Sequence, residues 1–230
     1  MRATDFEFRW RFILFGLIFG LGFNAYALDH VNLANWLEQL TGAATGIWLV
    51  LGAALTAAAA ALRTWATAYL RTDVVHDLSV HDEKLVADGP YRHCRNPLYL
   101  GGVLLAAGMG VFASRLGFAV MGGGILLLNT RLIAREEAEL AASQGASFAA
   151  YCRAVPRLLP SLASRLPAGG TAPRWTQAML GESWIWLMAA GAWLYIFSHR
   201  LSLFIDCIYA GLAVYVVMLL MLKVRRSSAP

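Results

Sequence analysis

Charge is scarce in this chain. Asp, Glu, Lys and Arg make up 14% of its 230 residues, against 59% hydrophobic residues. A soluble domain carries about a quarter charged residues, so a free-standing soluble globule is excluded. Cysteine is scarce too: Cys94, Cys152 and Cys207 lie far apart without CxxC spacing, which excludes a disulfide framework and a zinc site. No segment alternates apolar and polar residues with period two, which excludes an architecture built on amphipathic strands.

Long apolar runs are abundant instead. A bilayer core of about 30 Å needs roughly 20 apolar residues in a helix. Six runs approach that length: Phe12–Leu28, Gly42–Leu62, Leu98–Ala113, Leu116–Asn129, Ser183–Ser198 and Leu203–Leu222. The third and fourth, parted only by Ser114 and Arg115, predict a tight helical hairpin whose polar flanks reach the interface. The expected fold is an all-α polytopic membrane bundle of about six helices, forming one membrane domain. Residues 1–84 supply the first spans and an inner loop, 85–160 a core in which polar motifs flank the third and fourth runs, and 161–230 a loop with two C-terminal spans.

The net charge of +5 is explained by topology. With the N-terminus inside and the spans alternating, 17 of the 19 basic residues face the cytoplasm, leaving only Arg115 and Arg200 outside. Such a bias in short loops sets membrane orientation, so both termini are expected to be cytoplasmic and no nucleic-acid partner is expected. The Ala25-Tyr26-Ala27 sequence imitates a signal-peptidase site, but its 17-residue apolar run exceeds a usual signal core, and a retained first span is expected.

Glycine offers no dinucleotide fingerprint. Gly122-Gly123-Gly124 and the Gly16/Gly20 pair lie inside apolar runs rather than after a strand, so they read as close-packing positions between helices. Any nucleotide-like cofactor would need a non-Rossmann site. His76, Asp77, His81, Asp82 and Glu83 fit no standard metal spacing; a solvated connector is expected there, with no metal.

Two inner segments exceed what hydropathy explains. In Gly89-Pro90-Tyr91-Arg92-His93-Cys94-Arg95-Asn96-Pro97-Leu98-Tyr99-Leu100-Gly101, the two prolines fix the backbone and disfavour helix just before them. The sequence predicts an ordered turn feeding a helix start, where free backbone N–H groups can meet a carboxylate and a tyrosine face can meet a cation. The same residues would also serve as interfacial anchors. Further on, Arg131, Arg135, Glu136, Glu137 and Glu139 directly continue the fourth run, where uncompensated charge is costly. Arg135 and Glu139 have the spacing of a surface pair; Arg131, Glu136 and Glu137 are pocket candidates. That helix is expected to break near Gly145, resume through Tyr151 and end at Val155-Pro156-Arg157.

Taken in order, GPYRxxRNPxYLG, Arg-x-x-x-x-Glu-Glu-x-x-Leu and Gly-x-x-x-x-x-Tyr-x-x-x-Val-Pro-Arg resemble the isoprenylcysteine carboxyl methyltransferase and phospholipid methyltransferase family of integral membrane enzymes. The resemblance covers about residues 85–160. It implies methyl transfer from S-adenosylmethionine, bound in a cytosol-facing pocket, to a lipophilic or membrane-associated acceptor entering from the lipid. It implies cofactor contacts from Tyr91, Arg92, Arg95, Asn96, Pro97, Tyr99, Leu100, Glu136, Tyr151 and Arg157. Arg131 and Glu137 are implied nearest the acceptor, as catalytic residues, with the split between Glu136 and Glu137 left open. The arginine would hold an anionic acceptor or the glutamate take a proton from a neutral one, opposite chemistries between which the sequence does not choose. A bacterial inner-membrane location is also implied. Asn96 replaces the histidine of the prenylcysteine enzymes, Gln144 a phenylalanine and Phe148 a tyrosine, which points away from a prenylcysteine acceptor. The rival readings are an NADPH-dependent membrane reductase of the sterol reductase type and a non-enzymatic membrane protein.

Overall fold

The computed structural model describes residues 2–70 and 88–227. Helix makes up 78% of it and no strand occurs among the described residues, as the apolar runs require. The helices are α1 (Asp5–Arg9), α2 (Arg11–Asn24), α3 (Leu33–Thr41), α4 (Thr45–Tyr69), α5 (Pro97–Gly110), α6 (Arg115–Ala154), α7 (Trp175–Gly181), α8 (Ser183–Ser198) and α9 (Leu201–Ser227). α4, α6 and α9 are long and apolar enough to cross a membrane; α2, α5 and α8 are shorter apolar helices. Each of the six predicted runs therefore becomes a helix. The metal reading at His76–Glu83 lies outside the described residues.

Local chemistry sets the boundaries. Ser114 accepts a hydrogen bond from the Gly117 N–H at 3.0 Å and so caps α6, which turns the α5–α6 hairpin as expected. Within α6, Gly145 adopts φ 51°, ψ −118°, a left-handed conformation that glycine tolerates best. The helix breaks there and resumes. Hydropathy misses α1 and α3. α3 is a short amphipathic helix started by Asn32, whose side chain accepts from the Ala34 N–H at 2.9 Å.

α4 sits at the centre, packed against α5, α8, α3 and α7, while α2 packs on α6 and α9 on α8. Small residues permit the closest crossings. A Cβ on Gly108 would stand 2.6 Å from the Gly52 carbonyl oxygen, and one on Gly117 would stand 2.3 Å from the Gly22 carbonyl oxygen. Gly108→Val is therefore expected to cost about 1–3 kcal/mol, the usual penalty of overpacking. A lowered thermal midpoint in detergent would register it; an unchanged midpoint would refute so tight a crossing. The Gly16/Gly20 pair differs from expectation: a Cβ at either position would meet nothing within 4 Å. These two glycines face a cavity, not a helix.

Candidate active site at the mouth of the bundle

The turn that opens the site is a single 3-10 turn, Gly89–Arg92, with Pro90 at its start. Gly89 has φ +55°, and a Cβ there would lie 2.3 Å from the Tyr69 ring, so glycine is required twice over. Asp88 anchors the turn to the following loop by accepting from the Gly169 N–H at 2.7 Å and the Thr171 N–H at 2.9 Å. The Thr171 side chain first, and then these two backbone bonds, hold its carboxyl below the usual carboxylate range. Arg92 points the same way: its Nε donates to the Leu166 carbonyl at 2.7 Å and its Nη2 to Ser164 at 3.0 Å. Beneath the turn Cys94 is buried, and burial pushes its thiol up to about 11.

Glu137 fastens this turn to α6. Its Oε1 lies 3.2 Å from Arg95 Nε and accepts from Asn96 Nδ2 at 3.3 Å; its Oε2 lies 2.8 Å from Arg157 Nη2. Arg95 also donates to the Cys152 carbonyl at 2.9 Å, and Tyr151 donates to the Tyr91 carbonyl at 2.8 Å. The three sequence motifs thus converge at one place. Glu136, one residue earlier, turns elsewhere and accepts a 2.5 Å hydrogen bond from the Tyr99 hydroxyl. The Tyr99 carbonyl accepts from Asn129 Nδ2 at 3.0 Å, so one tyrosine ties two levels of α6 to α5.

These groups wall a cavity of about 1090 Å³. Its polar end is lined by Tyr91, Arg95, Asn96, Tyr99, Glu136, Glu137 and Tyr151, and its long apolar arm runs between α2 and α9. Pro97 also lines it, whereas Arg92, Leu100, Arg131 and Arg157 do not. Arg157 touches the site through Glu137. Arg131 stands behind the wall, where its Nε and Nη2 meet Glu7 at 2.7 and 2.8 Å. The Arg131 hydrogen bonds, helped by the Thr4 backbone N–H, pull the Glu7 carboxyl down to about 2.

Sequence reasoning missed three contributors. Arg11, read only as a topological charge, is buried at the cavity wall with its guanidinium 4.3 Å from the Phe8 ring and 4.7 Å from the Phe12 ring. It is close enough to Glu136 and Tyr99 to act on both electrostatically. Arg63 lines the cavity and pairs with the fully buried Glu182 at 2.8 Å; Gly101 makes room for it, since a Cβ there would stand 2.4 Å from Arg63 Cγ. Trp184 lies 5.5 Å above that guanidinium. The one available signal was the position of Arg11 and Arg63 beside apolar runs.

The cavity wall also holds polar atoms without a hydrogen-bond partner among the described residues: the Tyr91 hydroxyl, Asn129 Oδ1 and Trp184 Nε1. Buried polar atoms are nearly always satisfied, so these fit a site completed by a ligand. No group of three or more His, Cys, Asp or Glu residues among the described residues is placed to hold a metal ion.

The three charged motifs of this apolar helical bundle therefore meet at one cavity. Residues 47–144 match the family model of the phospholipid methyltransferases, the group to which the motifs point. The matched stretch runs from α4 into α6 and contains every polar-end residue except Tyr151. No curated protein and no solved structure matched the chain.

Proposed function

We propose that this cavity binds S-adenosylmethionine at its polar end and directs the methyl group to a lipophilic acceptor lying in its apolar arm. The observation that carries the reading is the cavity itself: one continuous space is lined both by the polar motif residues, Tyr99 and Glu136 among them, and by apolar residues of α2 and α9. At about 1090 Å³ that space exceeds the roughly 300–1000 Å³ of a typical single-ligand site, which suits a donor together with an acceptor.

The residues fit the cofactor. The Tyr91 hydroxyl is free to bond it. The α5 N-terminus, opened by Asn96 and Pro97 at the cavity wall, offers a positive end to a carboxylate. Tyrosine faces and the Glu136 carboxylate suit a sulfonium. When bound, the sulfonium supplies an electrophilic methyl group for in-line displacement. The chain's own work is alignment, exclusion of water and deprotonation. Glu136 accepts a proton from a neutral nucleophile, with Tyr99 fixing its orientation. Glu137 stays at the wall, where Arg95 and Arg157 hold it in the shape the cofactor needs. Arg131 acts from behind, through Glu7.

The test is incubation of purified protein with methyl-labelled S-adenosylmethionine and host lipid extract. Label is expected in the organic phase, and S-adenosylhomocysteine, not NADPH, is expected to raise the thermal midpoint. Stabilisation by NADPH alone would replace this reading with a reductase.

A further inference from the structure

Two apolar stripes face each other along the arm of the cavity. α2 contributes Phe12, Gly16, Phe19, Gly20 and Phe23, and α9 contributes Ile205, Ile208, Tyr209, Leu212 and Tyr215. Both follow the three-to-four spacing of one helix face. Aromatic rings bridge the two helices at each end. Phe12 meets Tyr215 at 6.3 Å beside the polar mouth, and Phe23 meets Phe204 at 6.4 Å at the far end. At that far end Phe204 is buried, its ring packed at a tilt against Phe112 at 5.2 Å and Tyr195 at 6.0 Å. Between the bridges the wall is thinned by Gly16 and Gly20, whose missing side chains leave open space. The slot from Tyr215 to Phe204 spans eleven residues of α9, about 16 Å at 1.5 Å per residue.

A slot that is straight, apolar, continuous with a polar neck and stopped by packed rings is a measuring device. We infer that it holds the hydrocarbon chain of the methyl acceptor and that Phe204, with Phe23 and Phe112 behind it, sets the longest chain admitted. The two C-terminal helices then have a role: α8 carries α9, and α9 supplies one wall of the acceptor site. At the neck, Asn129 is 2% exposed and leaves Oδ1 unbonded, an acceptor for a head-group donor; seven residues along α6 separate it from Glu136, about 10 Å. An ordinary lipid-facing helix surface would have no such neck and no stop. This inference rests on the methyl-transfer reading for the identity of the occupant, but its geometry stands apart from the cofactor.

The probe is a phospholipid carrying a photoactivatable acyl chain, cross-linked to the full-length protein in lipid nanodiscs and competed with lysophospholipids of graded chain length. Cross-links are expected on α2 and α9 peptides that contain Gly16–Phe23 and Ile205–Leu212. Competition should strengthen with chain length and then reach a plateau. Gly20→Leu, which projects into open space, should move the plateau to shorter chains. Phe204→Ala should move it to longer ones, with Phe204→Leu as the milder variant if the alanine form unfolds. Cross-links spread evenly over the outward Leu126 and Leu127, or a plateau that neither variant moves, would overturn the inference. S-adenosylhomocysteine binding, measured on the same proteins, separates the two claims. Its presence with an immovable plateau sinks the ruler alone, and a working ruler without it sinks methyl transfer alone.

Discussion

Glu182→Ala is expected to destabilise the protein by about 3–5 kcal/mol, the usual cost of leaving a buried charge without its partner. Glu182 is wholly inaccessible. It accepts from Arg63 Nε at 2.8 Å, from Arg63 Nη2 at 3.1 Å and from Thr67 Oγ1 at 2.8 Å. Arg63 is itself only 13% exposed at its side chain, so the alanine variant strands a guanidinium inside an apolar bundle. The pair joins α4 to the start of α8, and α9 packs on α8, so loss of the tie loosens the wall of the acceptor slot as well. Removing both charges, as in Arg63→Met with Glu182→Leu, should cost less than the single change, because no unpaired ion remains. Thermal unfolding in detergent compares the two. A double variant as unstable as Glu182→Ala would mean that shape, not charge, holds this joint.

Glu136→Gln should lower methyl transfer by roughly 10²- to 10⁴-fold, the range typical of a missing general base. The amide is nearly isosteric, so the Tyr99 hydroxyl keeps an oxygen to bond and the cavity keeps its form. S-adenosylhomocysteine affinity should move far less than turnover, since the sulfonium is absent from that ligand. Tyr99→Phe should give a smaller loss, through orientation. Arg131→Ala should also be mild, because its guanidinium serves the N-terminal segment at Glu7 and stands behind the cavity wall. Equal and complete loss in Arg131→Ala and Glu136→Gln would contradict this division of roles. The measurement is initial rate of label incorporation at saturating donor.

Much of this arrangement is written locally and could be read without coordinates. Apolar run length predicts the six main helices, the serine cap turns the hairpin, and Gly145 marks the break in α6. The motif residues converge because Glu137 and its cationic partners balance each other inside a low-dielectric wall. What hydropathy and spacing conceal is pairing across the chain. Arg63 and Glu182 are 119 residues apart, and each alone resembles an interfacial charge. Arg92 and Arg157 carry motif positions, yet the loop carbonyls and Glu137 claim them first. Gly16 and Gly20 have the spacing of a helix–helix contact, and only the position of α9 shows that they border a slot. α1 and α3 are too short to register as apolar runs and follow from caps and amphipathic faces.

The break at Gly145 fixes a length as well as a direction. Everything from Glu137 to the bend is a rigid spacer, and beyond it the chain doubles back so that Tyr151 reaches the Tyr91 carbonyl. An insertion of three or four residues into that spacer would advance the bend by about 5 Å, one helical pitch, and carry the tyrosine past its target. This stretch of α6 should tolerate changes of residue type on its outer face but no change in residue count.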